Sequence, residues 1–484
     1  MRAAGAGGGG RGVAREVGRE VGREVGTEVD GAVRRLDLRL VLPALVTWAA
    51  AAAALPAPPV VLGAVAVTVV GAAAGLLGRR RAGAVALALV LVAAVCASVL
   101  ATQVARGRGH LEPLAVDRAV VVVEGGAASD AHRVRPDPAR PWADGSPRWI
   151  VRLRADRVTG RGTTTAADAE VLVVGGASWG VVRRGDRVVA RGRLEATTPA
   201  DPATAVLTAL GAPDTSPPSG RWTRWGQDLR AGLVRACAPL PADARGLLPG
   251  LVVGDTTALP PDLDEAMRAT GLTHLTAVSG GNTALVTGAV LLAGAALGVG
   301  RRTRLVLAGV ALLAFAALAG GEPSVLRAAV MGVAVLLGAG ASRGGAGVPA
   351  LAAAVTALLV LDPWLARAVG FALSVLATGA LLVLAPAWSA RLTERVARFG
   401  RPAGQHGRRG QRGRGGPRGW RARTGRALAT ALVVPLAAQA VCAPVLLLLV
   451  PGVPLLAVPA NLLAAPAVAP ATLLGLAAVL LEPV

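Results

Sequence analysis

Residues 269–290 read ATGLTHLTAVSGGNTALVTGAV. The stretch is apolar enough to enter a membrane, yet it carries His274, Ser279 and Asn282 near its middle, with Gly280 and Gly281 beside them. A helix that only had to span lipid needs no such cluster. Irregular backbone at membrane depth is tolerated only where protein buries it or a water-filled cavity borders it. Many transport proteins build a central site from broken helices with polar centres. This stretch is therefore expected to wall a pathway.

The surrounding chain suits that reading. It has 484 residues, 53% of them hydrophobic, gathered into long runs of Ala, Leu and Val. Apolar runs of about 18 residues or more predict transmembrane helices. The formal charge is +22, and every basic side chain is Arg. Part of that charge is compositional, because Ala, Gly, Arg, Val and Pro dominate; part sets topology, because Arg gathers in cytoplasmic loops. The three cysteines form no CxxC pair, so neither a disulfide framework nor a zinc site is indicated.

Residues 1–38 are Gly-rich and repeat REVG from Arg15, Arg19 and Arg23. They are expected to be a disordered cytoplasmic tail, the alternative being a weak membrane-surface helix. The first apolar run follows this tail, which does not fit a cleavable signal peptide. Residues 39–104 hold three expected spans, near 40–55, 59–77 and 82–104. Arg34, Arg35 and Arg39 precede the first, and Arg79, Arg80 and Arg81 separate the second from the third. The positive-inside rule puts both groups in the cytoplasm, so the third span exits outside near Arg106.

In residues 105–220 the apolar runs shorten, and Gly, Pro, Asp and Arg punctuate them. Residues 119–124, 149–158, 169–174 and 186–195 read as strands with partial period-two alternation. A small extracytoplasmic β-barrel of the OB type is expected here. Such a domain can hold single strands on basic grooves and aromatic rings, but Trp142, Trp149 and Trp179 are a thin supply. A purely structural role is the other reading. Residues 221–268 follow as amphipathic or interfacial helices, with Trp222 and Trp225 near Arg221 and Arg224. The apolar piece 246–255 is too short to span.

After the organising stretch, spans are expected near 305–319, 325–341, 348–361 and 366–385, then near 427–450 and within 454–484. Residues 391–426 hold twelve arginines and one acid, Glu394, and read as a cytoplasmic loop. The closing spans contain seven prolines, which implies kinked or half-length helices.

Four stretches within 269–472 then carry a resemblance. The first is Gly271-Leu272-Thr273-His274-Leu275 through Ala277-Val278-Ser279-Gly280. The second is Pro323-Ser324-Val325-Leu326-Arg327-Ala328 with Met331. The third is Asp362-Pro363, then Gly370-Phe371-Ala372-Leu373-Ser374 and Ala377-Thr378. The fourth is Gln439 and Pro444, then Asn461-Leu462-Leu463-Ala464 and Pro466. In this order they resemble the membrane core of the ComEC family of competence DNA-uptake proteins, here placed at 269–484. The resemblance implies a cell-membrane, multi-pass channel for single-stranded DNA in natural transformation. It also implies a DNA receptor, a separate nuclease and a cytoplasmic ATPase as partners, beside the lipid bilayer.

Two departures qualify it. The family often continues Ser-Gly with Leu-His, where this chain has Gly281-Asn282. Many members also carry a metallo-β-lactamase-like domain. This chain has four scattered His and no HxHxDH cluster, so no nuclease activity, enzyme function or cofactor is expected of it. No GxxxxGK[ST] loop occurs, so energy would come from elsewhere.

The fold expected is thus a polytopic α-helical membrane protein with an inserted small extracytoplasmic OB-like β-barrel. The pathway or DNA-contact candidates are His274, Ser279, Gly280, Gly281, Asn282, Glu322, Ser324, Arg327, Asp362, Ser374, Gln439 and Asn461. Some have a plainer reading, while Asn461 among seven prolines is harder to dismiss, because a buried amide needs partners. Ser279 and Asn282 could pack helices, Arg327 could pair with Glu322 or snorkel, and Asp362 could cap a turn. A hydrolase built on His274 and Ser279 lacks a GxSxG elbow, because Ala277 fills the first Gly position. A small-solute transporter and a scaffold acting through the β-domain are the alternatives from other classes.

Overall fold

The computed structural model describes residues 37–76, 83–107, 110–134, 148–218, 220–276, 280–320, 323–340, 347–399, 433, 436–448 and 456–481. The tail 1–36, most of the Arg-rich loop and Trp142 lie outside them. The chain is mostly helical, with a separate sheet domain between helices.

Three helices come first: α1 (Val41–Ala54), α2 (Pro59–Leu76) and α3 (Gly83–Gly107). Runs rich in Ala, Leu and Val favour this, because few polar side chains compete for the backbone, and the hydroxyls of Thr47, Thr68 and Thr102 bond back to carbonyls of their own helices. α2 buries only Leu62 and Ala73. An apolar helix with so little covered is suited to lipid rather than water. α1 and α3 pack Ala51, Leu55, Val95 and Val99 against Leu351, Val355, Leu359 and Phe371. Trp48 fixes the same joint: its ring lies 4.9 Å from Phe371, and its Nε1 donates to the Ala366 carbonyl at 2.9 Å.

The sheet domain follows a short helix, α4 (Leu111–Val116). Its strands are β1 (Val120–Ala127), β2 (His132–Val134), β3 (Arg148–Gly160), β4 (Thr163–Gly175), β5 (Arg187–Ala196), β6 (Ala205–Ala209) and β7 (Asp214–Ser216). They form one seven-stranded sheet in the order β1-β3-β4-β6-β5-β7, with β2 on β3 and a further pairing of β1 with β5. All pairings are antiparallel except β4 with β6. The sheet is not a closed barrel, unlike the small OB-type β-barrel expected from sequence, and β2 and β7 each pair with one strand only and leave edges. Burial alternates along β5, as period-two patterning requires. Val123, Val151, Leu153, Val171, Val173, Leu194 and Leu207 are buried around Trp179, whose Nε1 donates to the Gly211 carbonyl at 2.9 Å.

The chain returns through α5 (Arg221–Cys237), α6 (Ala242–Val253) and α7 (Pro261–Ala269). α6 is the piece judged too short to span. It is buried over Pro249–Val253, against α5 and the last helix. The core continues with a one-turn helix α8 (Thr273–Thr276), then α9 (Gly280–Ala296), α10 (Arg301–Leu318), α11 (Pro323–Gly340), α12 (Gly347–Leu361) and α13 (Val369–Phe399). A 3-10 turn, Pro363–Arg367, joins the last two. α14 (Leu436–Leu448) is short. α15 (Ala457–Leu481) runs 25 residues with Pro466 and Pro470 inside it. The closing helices were expected to be kinked or half-length: α15 is not half-length but continuous over 25 residues, while α14 is described only over Leu436–Leu448.

Four helical segments are long and apolar enough to cross a membrane: Pro59–Leu76, Gly83–Gly107, Val369–Leu392 and Pro459–Val479. α1, α9, α12, α14 and Pro323–Leu337 of α11 are apolar but shorter.

Candidate functional site

Within the organising stretch a helix ends at Gly271, a position the sequence reading does not single out as a break. α7 ends in a left-handed residue, Gly271, at φ +68°. The Leu272 amide donates to the Met267 carbonyl at 2.6 Å and the Gly271 amide to Arg268 at 2.9 Å. That pair of bonds is the glycine stop that closes helix ends. The chain resumes as α8, and α9 is described from Gly280. Ser279 lies outside the described residues.

Asn282 holds the restarted helix in place. It is 4% exposed, and its Nδ2 donates to the Leu251 carbonyl of α6 at 2.7 Å. Thr283 beside it is also buried and donates to the Gly280 carbonyl at 2.7 Å. Thr276 packs on α6 as well: a Cβ at Gly250 would lie 3.5 Å from its Cβ. Gly280 and Gly281 are exposed, and Gly280 stands beside α11, where its Cβ would be 3.7 Å from that of Ala328. His274 is exposed, with Nδ1 2.9 Å from the Gly271 carbonyl.

Next to Ala328 is Arg327. Its Nη2 donates to the Gly370 carbonyl of α13 at 3.4 Å, while its Nε is buried with no hydrogen-bond partner among the described residues. Ser374 Oγ donates to the same carbonyl at 2.8 Å, and Thr378 donates to Ser374 O at 2.8 Å. Thr378 also reaches Met331 Sδ of α11 at 3.8 Å. Cys442 of α14 lies 3.7 Å from the Leu373 carbonyl. The result is a polar seam among apolar helices. Ser324 is half-buried in the first turn of α11, and Glu322 lies outside the described residues. Gln439 and Asn461 are half-buried on α14 and α15. Among the described residues, neither is hydrogen-bonded into the seam.

Asp362 belongs to a different place. Its carboxylate accepts from the Trp364 amide at 3.1 Å, capping the 3-10 turn. It keeps an open edge to solvent, yet packing around the carboxyl pushes its pKa up. The Trp364 amide and the Arg152 and Arg106 guanidiniums pull in the opposite direction. Arg106, at the end of α3, stacks over the Trp364 ring with its guanidinium carbon 4.3 Å from the centroid. It also donates to the Asp201 carbonyl at 3.1 Å and to that of Pro202. Sequence reading had seen Arg106 only as the exit of a span. An apolar helix ending in Arg and an Asp-Pro-Trp turn were visible, but nothing in spacing joins positions so far apart.

Four helices long and apolar enough to cross a membrane, beside a separate sheet domain, suggest a membrane protein, and a polar seam runs among its helices. The family model described as competence protein matches residues 251–484. The match makes residues 251–484 a competence domain of the ComEC/Rec2 type, consistent with a protein of that family. The matched segment holds α9 to α15 and every candidate site residue. The match fits a role in DNA uptake. Neither the curated proteins nor the solved structures compared with it contain a match.

Proposed function

We propose that the protein is a channel that carries single-stranded DNA across the cytoplasmic membrane during natural transformation. The observation that carries this reading is the family match over 251–484, which spans the interrupted helix and the Arg327 seam. A polyanion needs positive or hydrogen-bonding walls, because unpaired phosphate charge is costly to bury. Arg327 Nε has no hydrogen-bond partner among the described residues and could serve that purpose. His274, Ser279, Ser324, Ser374, Gln439 and Asn461 supply further polar groups in this reading. Asn282 keeps the broken helix open by anchoring its start. No covalent chemistry is assigned to the chain.

Sidedness supports the same account. The β-domain meets the turn at Gly320, where a Cβ would lie 2.8 Å from Arg230 Nη1 and 3.6 Å from Arg184 Cδ. It also meets the Asp362–Trp364 turn through Arg106. Both turns are those the positive-inside rule assigns to the outer side. The domain is read as OB-like, because β1, β3, β4, β6 and β5 pair in sequence and β5 returns to β1. A partly open five-stranded Greek-key barrel has this character. A DNA receptor, a nuclease and a cytoplasmic ATPase are the partners such a channel requires.

Purified full-length protein in nanodiscs tests the reading. Labelled single-stranded DNA should bind with an affinity that falls steeply with salt. Binding that is absent at low salt, or indifferent to it, overturns the reading.

A further inference from the structure

The β-domain is fastened to the membrane core at two separated places. On one side several bonds act together. Gln227 of α5 donates to the Arg184 carbonyl at 2.8 Å and to Asp186 at 3.0 Å, Arg230 lies 3.6 Å from Asp130, and Arg183 lies 3.7 Å from Asp255. On the other side Arg106 makes the hydrogen bonds, and the Arg152 guanidinium of β3 also acts on Asp362. Arg106 begins in the N-terminal helices, stacks on Trp364 of the core and donates to two carbonyls of the β-domain loop that precedes β6. It thereby joins three units that the sequence keeps apart.

We propose that Arg106 is a positioning residue: it fixes the orientation of the β-domain over the core, so that DNA arriving at the domain is presented to the membrane path. A body held at one cluster can pivot about it, whereas a second fastening removes that freedom. Guanidinium suits the task because its planar fork donates to two acceptors while its face stacks on an aromatic ring. Lysine can keep the charge over the ring but not the fork. The loop itself is already ordered, since Asp201 accepts from the Thr198 amide and hydroxyl, at 3.1 and 2.7 Å. What Arg106 adds is the link between that loop and the core. The proposal rests on the DNA-uptake reading for its functional half only.

The test uses hydrogen exchange on the full chain in nanodiscs, together with uptake by cells. In Arg106→Ala, residues 197–204 and 362–368 should exchange faster together, while 184–186 and β3 to β5 stay as in the wild type. Trp364→Leu should do the same, and the double variant should be no worse than the worse single. Trp364→Phe keeps a ring face and should stay near wild type, and Arg106→Lys should fall between. In cells, Arg106→Ala should hold DNA at the surface normally and admit on the order of tenfold less into the cytoplasm, the scale of an ordinary coupling between sites. Unchanged exchange in Arg106→Ala, or additive effects in the double variant, would overturn the tether. Loosened exchange with full uptake would overturn the positioning role. If wild-type cells admit no DNA, the uptake reading and that role fall together, while exchange still judges the tether by itself.

Discussion

Arg327 and Ser374, on different helices, share one acceptor. The Gly370 carbonyl takes Arg327 Nη2 at 3.4 Å and Ser374 Oγ at 2.8 Å. The serine bond is short and the arginine bond long, so the guanidinium is the loosely held partner. A charged group so poorly satisfied in an apolar core is costly unless it pairs with something. Under the DNA reading that partner is a phosphate. Arg327→Ala should then weaken single-stranded DNA binding and lower the slope of log affinity against log salt by about 0.7. A salt titration in nanodiscs checks it; an unchanged slope argues for a helix-packing arginine.

Asn282→Leu keeps the volume but leaves the Leu251 carbonyl without its donor at 2.7 Å. A buried acceptor left unpaired costs about 1–3 kcal/mol. The variant should melt at lower temperature in detergent, and α6 should lose exchange protection. Equal melting would mean that water replaces the amide and that this end of α9 is wet.

Gly125 sits at a register shift between β1 and β3. A Cβ there would lie 2.1 Å from the Arg154 carbonyl oxygen, which is backbone and cannot step aside. Gly126, its neighbour, has nothing within 4 Å. Gly125→Ala should therefore destabilise the sheet domain by about 1–3 kcal/mol, while Gly126→Ala should be tolerated. Thermal melts of the two full-length variants compare them directly.

The sign of the Asp362 shift gives a pH dependence. Packing raises its pKa, so the folded protein favours the neutral carboxyl more than the unfolded chain does. That contribution is fully present below the ordinary carboxylate value of about 3.9 and is lost as pH rises through the raised value. Asp362→Asn keeps an oxygen for the Trp364 amide and removes the titration. At neutral pH it should be more stable than the wild type, and the gap should close as the pH falls. A gap that widens on acidification would show the arginines, not burial, to dominate.

How much of this was legible follows from where each signal sits. Helices α1 to α3 and α10 to α13 were readable because long apolar runs end at Arg groups or at Gly and Pro turns. The polar cluster marked 269–290 as irregular, but the helix stop at Gly271 was not read from the sequence. β6 and β7 were missed because five and three residues carry too little alternation. The docking of Trp48 on Ala366 was illegible, since the two are 318 positions apart and neither residue type demands the other. The same holds for Asn282 and Leu251: sequence marked the amide as unusual, but only the fold supplied its acceptor. Asp362 was grouped with the pathway by resemblance, whereas the fold sets it at the junction with Arg106.

The most direct test of the central claim is uptake of labelled duplex DNA by cells with and without this gene, scoring label protected from added nuclease inside the cytoplasm. The account expects cells lacking the gene to bind DNA at the surface and admit none, with entry restored by the wild-type gene and not by the Arg327→Ala variant. Competent cells that import equally well without the gene would contradict it.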